Sequence, residues 1–115
     1  MKYDGADESV ALAKHIREVA PKSAKVVFEN DVVRVIEITI RRGQEIPMHS
    51  HNRGISYSLN KGKIRVTPEG GKPKSFKVKK GDISWGAESH SVENLGGKIR
   101  ELYVEFKGQG QDSSG

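Results

Sequence analysis

The sequence predicts an all-β sandwich or barrel preceded by one helix. Three observations carry this expectation. Helical periodicity occurs once, near the N-terminus. Short runs rich in β-branched residues then follow one another across 25–107, and glycine-containing turns separate many of them. With 115 residues, the chain has room for a single core.

The helix is expected over residues 4–20, where Leu12, Ile16 and Val19 fall on one face. Asp4 can cap it, with Asp7 three residues on, and Pro21 stops it. One amphipathic helix of this length needs a surface to pack on, so residues 1–24 form an N-terminal helical segment on the domain that follows. The strand-forming runs begin at 26–28 and 32–40, with a turn at Asn30-Asp31 between them and a break at Gly43. Further runs lie at 55–59, 64–67, 75–78, 83–85 and 99–106. Residues 108–115 (GQGQDSSG) have nothing to bury and are expected to be a disordered tail.

Composition excludes several classes. There is no cysteine, hence no disulfide framework, thiolate metal site or cysteine nucleophile. No apolar run approaches the ~20 residues that span a bilayer, and residues 1–10 are polar and acidic, unlike a secretory signal. A cytoplasmic protein with no membrane association is therefore expected. The net charge of +5 is localised: Lys61 to Lys80 holds eight basic residues and one acid, and the rest of the chain holds twelve and fourteen. Within that stretch Ile64 and Val66 alternate with Lys63, Arg65 and Thr67, and Phe76 and Val78 with Lys77 and Lys79. This is the pattern of a half-exposed hairpin, apolar inward and cationic outward. Nucleic-acid binding would call for aromatic or arginine side chains among the lysines, and only Arg65 is present.

Without cysteine, metal chemistry falls to histidine and carboxylates. His49-Ser50-His51 places two imidazoles on one face of an extended segment, about 6–7 Å apart at Cα, able to converge on one ion. Carried onward, that alternation adds Arg53, Ile55, Tyr57 and Leu59 to the inward face, next to an apolar cavity. His90 follows the run at 83–85. Three neutral imidazoles make a facial set for Fe(II), Cu, Zn, Ni or Mn with positions open to water or substrate.

The spacing of Gly43, His49, His51, Ile55 and Gly62 resembles the first cupin motif, and Gly81-Asp82 with His90 and Asn94 resembles the second. The run from Phe28 to Val35 also resembles the opening strands of small single-domain cupins, so the likeness covers residues 25–106. It implies a double-stranded β-helix, the cupin jelly-roll barrel, over 25–107, with one divalent metal held inside by His49, His51 and His90. Two departures stand out. Ile55, followed by Ser56, occupies the place of the motif glutamate, and the second motif is about two residues short around Gly86-Ala87-Glu88-Ser89. Loss of the carboxylate leaves an all-imidazole shell, which favours Zn, Cu, Ni or Fe over Mn or Mg. It also resembles the three-histidine cupins that activate dioxygen at Fe(II).

Arg53, for an anionic substrate group, and Tyr57, as hydrogen-bond donor or acid, are the candidate catalytic residues beside the metal. Glu37, Glu45, Glu101 and Glu105 could replace the missing ligand or act as a base, although strand charges usually face water. In the last run, alternation of Arg100, Leu102, Val104 and Phe106 against Glu101, Tyr103 and Glu105 points the glutamates outward. Trp85 can line the pocket or join the core, and His15 is expected at the surface. The combined expectation is a metal-binding cupin acting on or binding a small anionic molecule, by dioxygenase-, isomerase- or lyase-type chemistry. The alternative is a non-catalytic ligand-binding or sensing module. Cupins of this size commonly pair, so a homodimer is expected.

Overall fold

A computed structural model describes residues 14–86 and 89–108. A short helix, α1 (Ile16–Val19), precedes nine strands: β1 (Ala24–Glu29), β2 (Val33–Ile40), β3 (Glu45–His49), β4 (Gly54–Ser58), β5 (Gly62–Pro68), β6 (Lys74–Val78), β7 (Ile83–Gly86), β8 (His90–Asn94) and β9 (Ile99–Phe106). They form two antiparallel sheets, ordered β1-β2-β9-β4-β7 and β3-β8-β5-β6. This is a double-stranded β-helix, as the sequence predicts. The expected helix over 4–20 is corrected where it is described: His15 is extended, bridges to Ser50 and caps a helix that runs only from Ile16 to Val19, while Asp4, Leu12 and most of the expected tail lie outside the described residues. No helix among the described residues is long and apolar enough to cross a membrane.

The core lies between the sheets and is built from Ile16, Ala24, Ile36, Ile38, Ile40, Ile46, Ile99 and Tyr103. Strand β2 follows the period-2 rule, burying Ile36, Ile38 and Ile40 and leaving Val35, Glu37 and Thr39 less covered. Two histidine-bearing strands, β3 and β8, were not among the runs that β-propensity marks. They pair with each other at Ile46↔Val92 and His49↔His90. Asn94 ends β8 and is 2% exposed. Its amide donates to the carbonyls of Ile40, Arg41 and Gly97 at 2.8–3.0 Å and its oxygen accepts the Gly96 amide at 2.8 Å. Two turns are thereby tied together, which satisfies polar groups that burial would otherwise penalise.

Two expectations about facing are corrected. In β9 the buried set is Ile99, Tyr103 and Glu105, with Glu101 on the same side, and Leu102, Val104 and Phe106 look outward. Register enforces this, because Ile40, Ile38, Ile36 and Arg34 of β2 stand opposite Ile99, Glu101, Tyr103 and Glu105. In β4 the inward residues are Gly54, Ser56 and Ser58, opposite Glu105, Tyr103 and Glu101. The alternation starting at His49 does not continue to Tyr57, because the chain leaves one sheet at β3 and enters the other at β4 through a non-extended loop at Asn52-Arg53. Only glycine fits at Gly54, where a Cβ would lie 1.9 Å from the Val104 carbonyl oxygen. In the lysine-faced hairpin Ile64, Val66 and Val78 are half-buried as expected, but Phe76 on edge strand β6 is 47% exposed.

Candidate metal centre

The β3–β8 pairing sets His49 directly opposite His90, and the chain just past β3 adds His51. Ring centroids lie 4.8 Å apart for His49–His90, 5.3 Å for His51–His90 and 5.7 Å for His49–His51. One nitrogen from each of the three comes within 4.8 Å of the others, so they could hold a metal ion. His49 is 1% exposed, and the other two are half-buried. Burial holds all three below the ordinary imidazole range, His49 at about 4 and His90 at about 3, so the rings are neutral and their lone pairs free at neutral pH. The Pro47 carbonyl lies 2.8 Å from Nδ1 of His49, which places the proton there and turns Nε2 to the site. The donor set fits a divalent transition metal: three neutral nitrogens, no thiolate and no carboxylate within the group.

A second layer fixes the loop that carries His51. The Tyr103 ring packs on His51 with centroids 4.2 Å apart and planes tilted by 40°, and its hydroxyl lies 2.6 Å from the Asn52 carbonyl and 2.8 Å from that of Gly86. Burial, with the nearby Glu105 and Glu101 charges, pushes this phenol well above its usual range, so it remains a donor. Gly86 is required, since a Cβ there would sit 2.7 Å from the Tyr103 ring. Glu105, fully buried, accepts from the Asn52 amide at 2.8 Å, from Arg34 at 3.0 Å and from His15 at 2.7 Å. His15 takes the Arg17 amide at Nδ1, which leaves Nε2 as the donor to Glu105. Burial alone would raise the Glu105 carboxyl. Hydrogen bonds from His15, the Asn52 amide and Arg34 outweigh that and hold it at about 2. The N-terminal segment also runs beside the site, with the Ser50 amide donating to Lys14 at 2.7 Å and the Ile16 amide to Ser50 at 2.9 Å.

The histidines open into a cavity of about 140 Å³. Its walls are mostly aliphatic, including Ile38, Ile40, Ile46, Ile99 and Val92, with Ser56, Ser84, Glu101 and Tyr103 as further polar groups. No lysine or arginine lines it among the described residues.

Sequence-expected positions divide accordingly. His49, His51 and His90 come together. Arg53 is exposed, and Tyr57, 38% exposed, points to the outer face of its sheet, so neither lines the cavity. Glu37 pairs with Arg100 at 2.6 Å on the surface, and Glu45 is exposed opposite Glu93. Trp85 is 61% exposed at the cavity rim, its ring 6.1 Å from Phe106. Sequence reasoning assigned Glu101, Glu105 and His15 to the surface and left Ser56 and Tyr103 without a role in the site. The available signal was that 99–106 has apolar residues on both faces, so its glutamates could not be assigned outward by alternation alone.

Fold and site together define a cupin-type barrel with a three-histidine centre, and the solved structures that resemble it have the same fold. A cupin domain from Bordetella pertussis Tohama I superposes with a TM-score of 0.67 at 20% identity, over 73% of this chain and 91% of that one. A conserved double-stranded β-helix protein from Klebsiella pneumoniae gives 0.59 at 21% identity, over 77% and 84%. The cupin domain of Cnp3 from Schizosaccharomyces pombe gives 0.60 at 20% identity, over 79% and 69%. No protein-family model matches the sequence, and no curated protein matches it.

Proposed function

We propose that the chain is a metal-binding cupin that holds one divalent transition metal (Fe, Cu, Zn or Ni) through His49, His51 and His90 and takes a small anionic molecule in the adjoining cavity. The observation that carries this reading is the convergence of three neutral imidazoles on one largely apolar cavity. Among the described residues no cationic side chain lines the wall, so a bound metal would supply the positive charge that an anion needs. When bound, such a metal supplies Lewis-acid polarisation of an oxygen donor or activation of oxygen. The chain's own residues do the rest. Aliphatic walls exclude water, Tyr103 and Glu105 hold the loop that presents His51, and Pro47 sets the His49 tautomer. Dioxygenase, isomerase and lyase chemistry, and ligand binding without turnover, share this binding arrangement.

Metal analysis of purified protein tests the reading. One equivalent of metal is expected in the natural chain, and less than a tenth of that in His49→Ala, His51→Ala and His90→Ala. Equal metal content in the triple variant would sink it.

We further propose that two copies pair through the outer face of the five-stranded sheet. Phe28, Val35, Val104, Ile55 and Trp85 are successive cross-strand neighbours, giving an apolar row across all five strands. Tyr57 and Ile83 extend it, the latter 66% exposed. Antiparallel sheets that face water carry polar residues on that side, and a second sheet packed face to face would cover this row. Light scattering should give twice 12.7 kDa for the natural chain and a monomer for Trp85→Lys. A monomeric natural chain at high micromolar concentration refutes the pairing.

A further inference from the structure

One carboxyl in the cavity has no structural explanation. Glu101 sits on the inward face of β9, lines the cavity and makes a single hydrogen bond, from the Ser56 hydroxyl at 3.3 Å. Among the described residues no cation pairs with it, and its second oxygen has no partner. A half-buried carboxyl in a cavity wall normally finds two or three partners, because an unsatisfied one is costly. The titratable groups that share the cavity wall are His49, His51, His90 and Tyr103. None of them is hydrogen-bonded or ion-paired to Glu101. It lies two residues from Tyr103 on the same strand face, about 7 Å further along from the ring that packs on His51. The cavity therefore has two polar ends, imidazoles at one and a lone carboxyl at the other, with aliphatic walls between.

We propose that Glu101 is a ligand-binding group: in its acid form it donates a hydrogen bond to a neutral carbonyl or hydroxyl oxygen of a small monoanion whose charged end binds at the three histidines. This deepens the metal-cupin reading and rests on it. The ligand class is short oxo- or hydroxy-monocarboxylates of about six to eight heavy atoms, since a cavity of similar volume accommodates a benzene-sized molecule. Dicarboxylates are disfavoured, because their second charge would be buried beside a carboxyl that can itself ionise, in a cavity whose described walls hold no balancing cation. Burial, only partly offset by the Ser56 hydrogen bond, pushes Glu101 up to about 7, which keeps the donor proton in place at mildly acidic pH.

The test uses the full chain loaded with cobalt(II), whose visible bands report carboxylate binding, at pH 6. Three probes of nearly equal size are titrated: 4-oxopentanoate, pentanoate and succinate. In the natural chain 4-oxopentanoate should bind about tenfold more tightly than pentanoate, as expected for one hydrogen bond, and succinate more weakly than both. Glu101→Leu should erase the preference for the oxo compound while pentanoate still binds. Glu101→Gln, which retains an N–H donor, should keep that preference and tolerate succinate better. Equal affinity for 4-oxopentanoate and pentanoate in the natural chain, or a preference that survives Glu101→Leu, overturns the role of Glu101 alone. Absence of histidine-dependent cobalt bands, or bands that no carboxylate perturbs, overturns the metal-cupin reading and this inference with it.

Discussion

Glu101 and Glu105 share a strand and a face, four residues apart, yet their environments drive them in opposite directions. Glu105 is fully buried among three donors, Arg34, His15 and the Asn52 amide, and its carboxyl is held at about 2. Glu101 has one long hydrogen bond from Ser56, and burial lifts it to about 7. Burial sets the cost for both, and partners decide whether it is repaid. A carboxyl whose partners are complete serves the architecture, and one left incomplete beside a cavity is available to a ligand.

The sharpest way to break the comparison is to remove the satisfied member. Glu105→Ala leaves Arg34 and His15 without their shared acceptor in a mostly buried position and frees the Asn52 amide. About 3 kcal/mol of stability should be lost, lowering the midpoint of thermal unfolding by more than 10 °C. Circular dichroism melts at pH 7 measure this, and a change below 3 °C would show that the network contributes little.

Removing the unsatisfied member should have the opposite sign and a different pH dependence. The folded-state carboxyl of Glu101 is raised from 4.5 to about 7, so the folded protein holds this proton more tightly than the unfolded chain does. Its ionisation therefore costs nothing below about pH 4.5, erodes stability as pH rises toward 7, and costs about 3 kcal/mol above that. Relative to the natural chain, Glu101→Leu should be progressively more stable from pH 5 to pH 8. For Glu105 the window is the other one: its contribution is present above about pH 4.5 and disappears as pH falls toward 2. If the Glu101→Leu difference does not change between pH 5 and pH 8, the carboxyl is solvated and the contrast between the two glutamates fails.

The same contrast explains what could be read from the sequence. The barrel was legible because glycines at the turns and β-branched runs follow local rules, and the histidines were legible because their spacing survives in one extended segment and its facing partner. Gly43, with φ of 74°, marks its turn by a backbone need visible in the residue type itself. The inward face of β9 was not legible. Alternation assigns a face by assuming that charge seeks water, and here the outer side is an apolar sheet face while the inner side carries Glu101 and Glu105. The assumption fails in one strand for two reasons, a buried ion network and a cavity-facing carboxyl. Tyr57 and Arg53 were misplaced by a different error, since alternation cannot be carried through a loop that changes sheets.

The smallest expected effect concerns the link between the Glu105 network and the histidines. Tyr103 packs on His51 while its hydroxyl reaches two carbonyls, one in the loop that Glu105 also holds. Tyr103→Phe keeps the ring and removes only the donor, leaving the Asn52 and Gly86 carbonyls short of a partner at a cost of about 1–2 kcal/mol. The loss should be shared between folding and metal binding, because the Asn52 loop sets where His51 points while the β3–β8 register fixes His49 and His90 independently. Zinc affinity should therefore fall by up to tenfold, with the midpoint of metal-free unfolding lower by about 5 °C. Isothermal titration with zinc, paired with melts of the metal-free chain, separates the two. A stability loss with unchanged zinc affinity would show that the ring contact alone orients His51, and that the hydroxyl serves only the barrel.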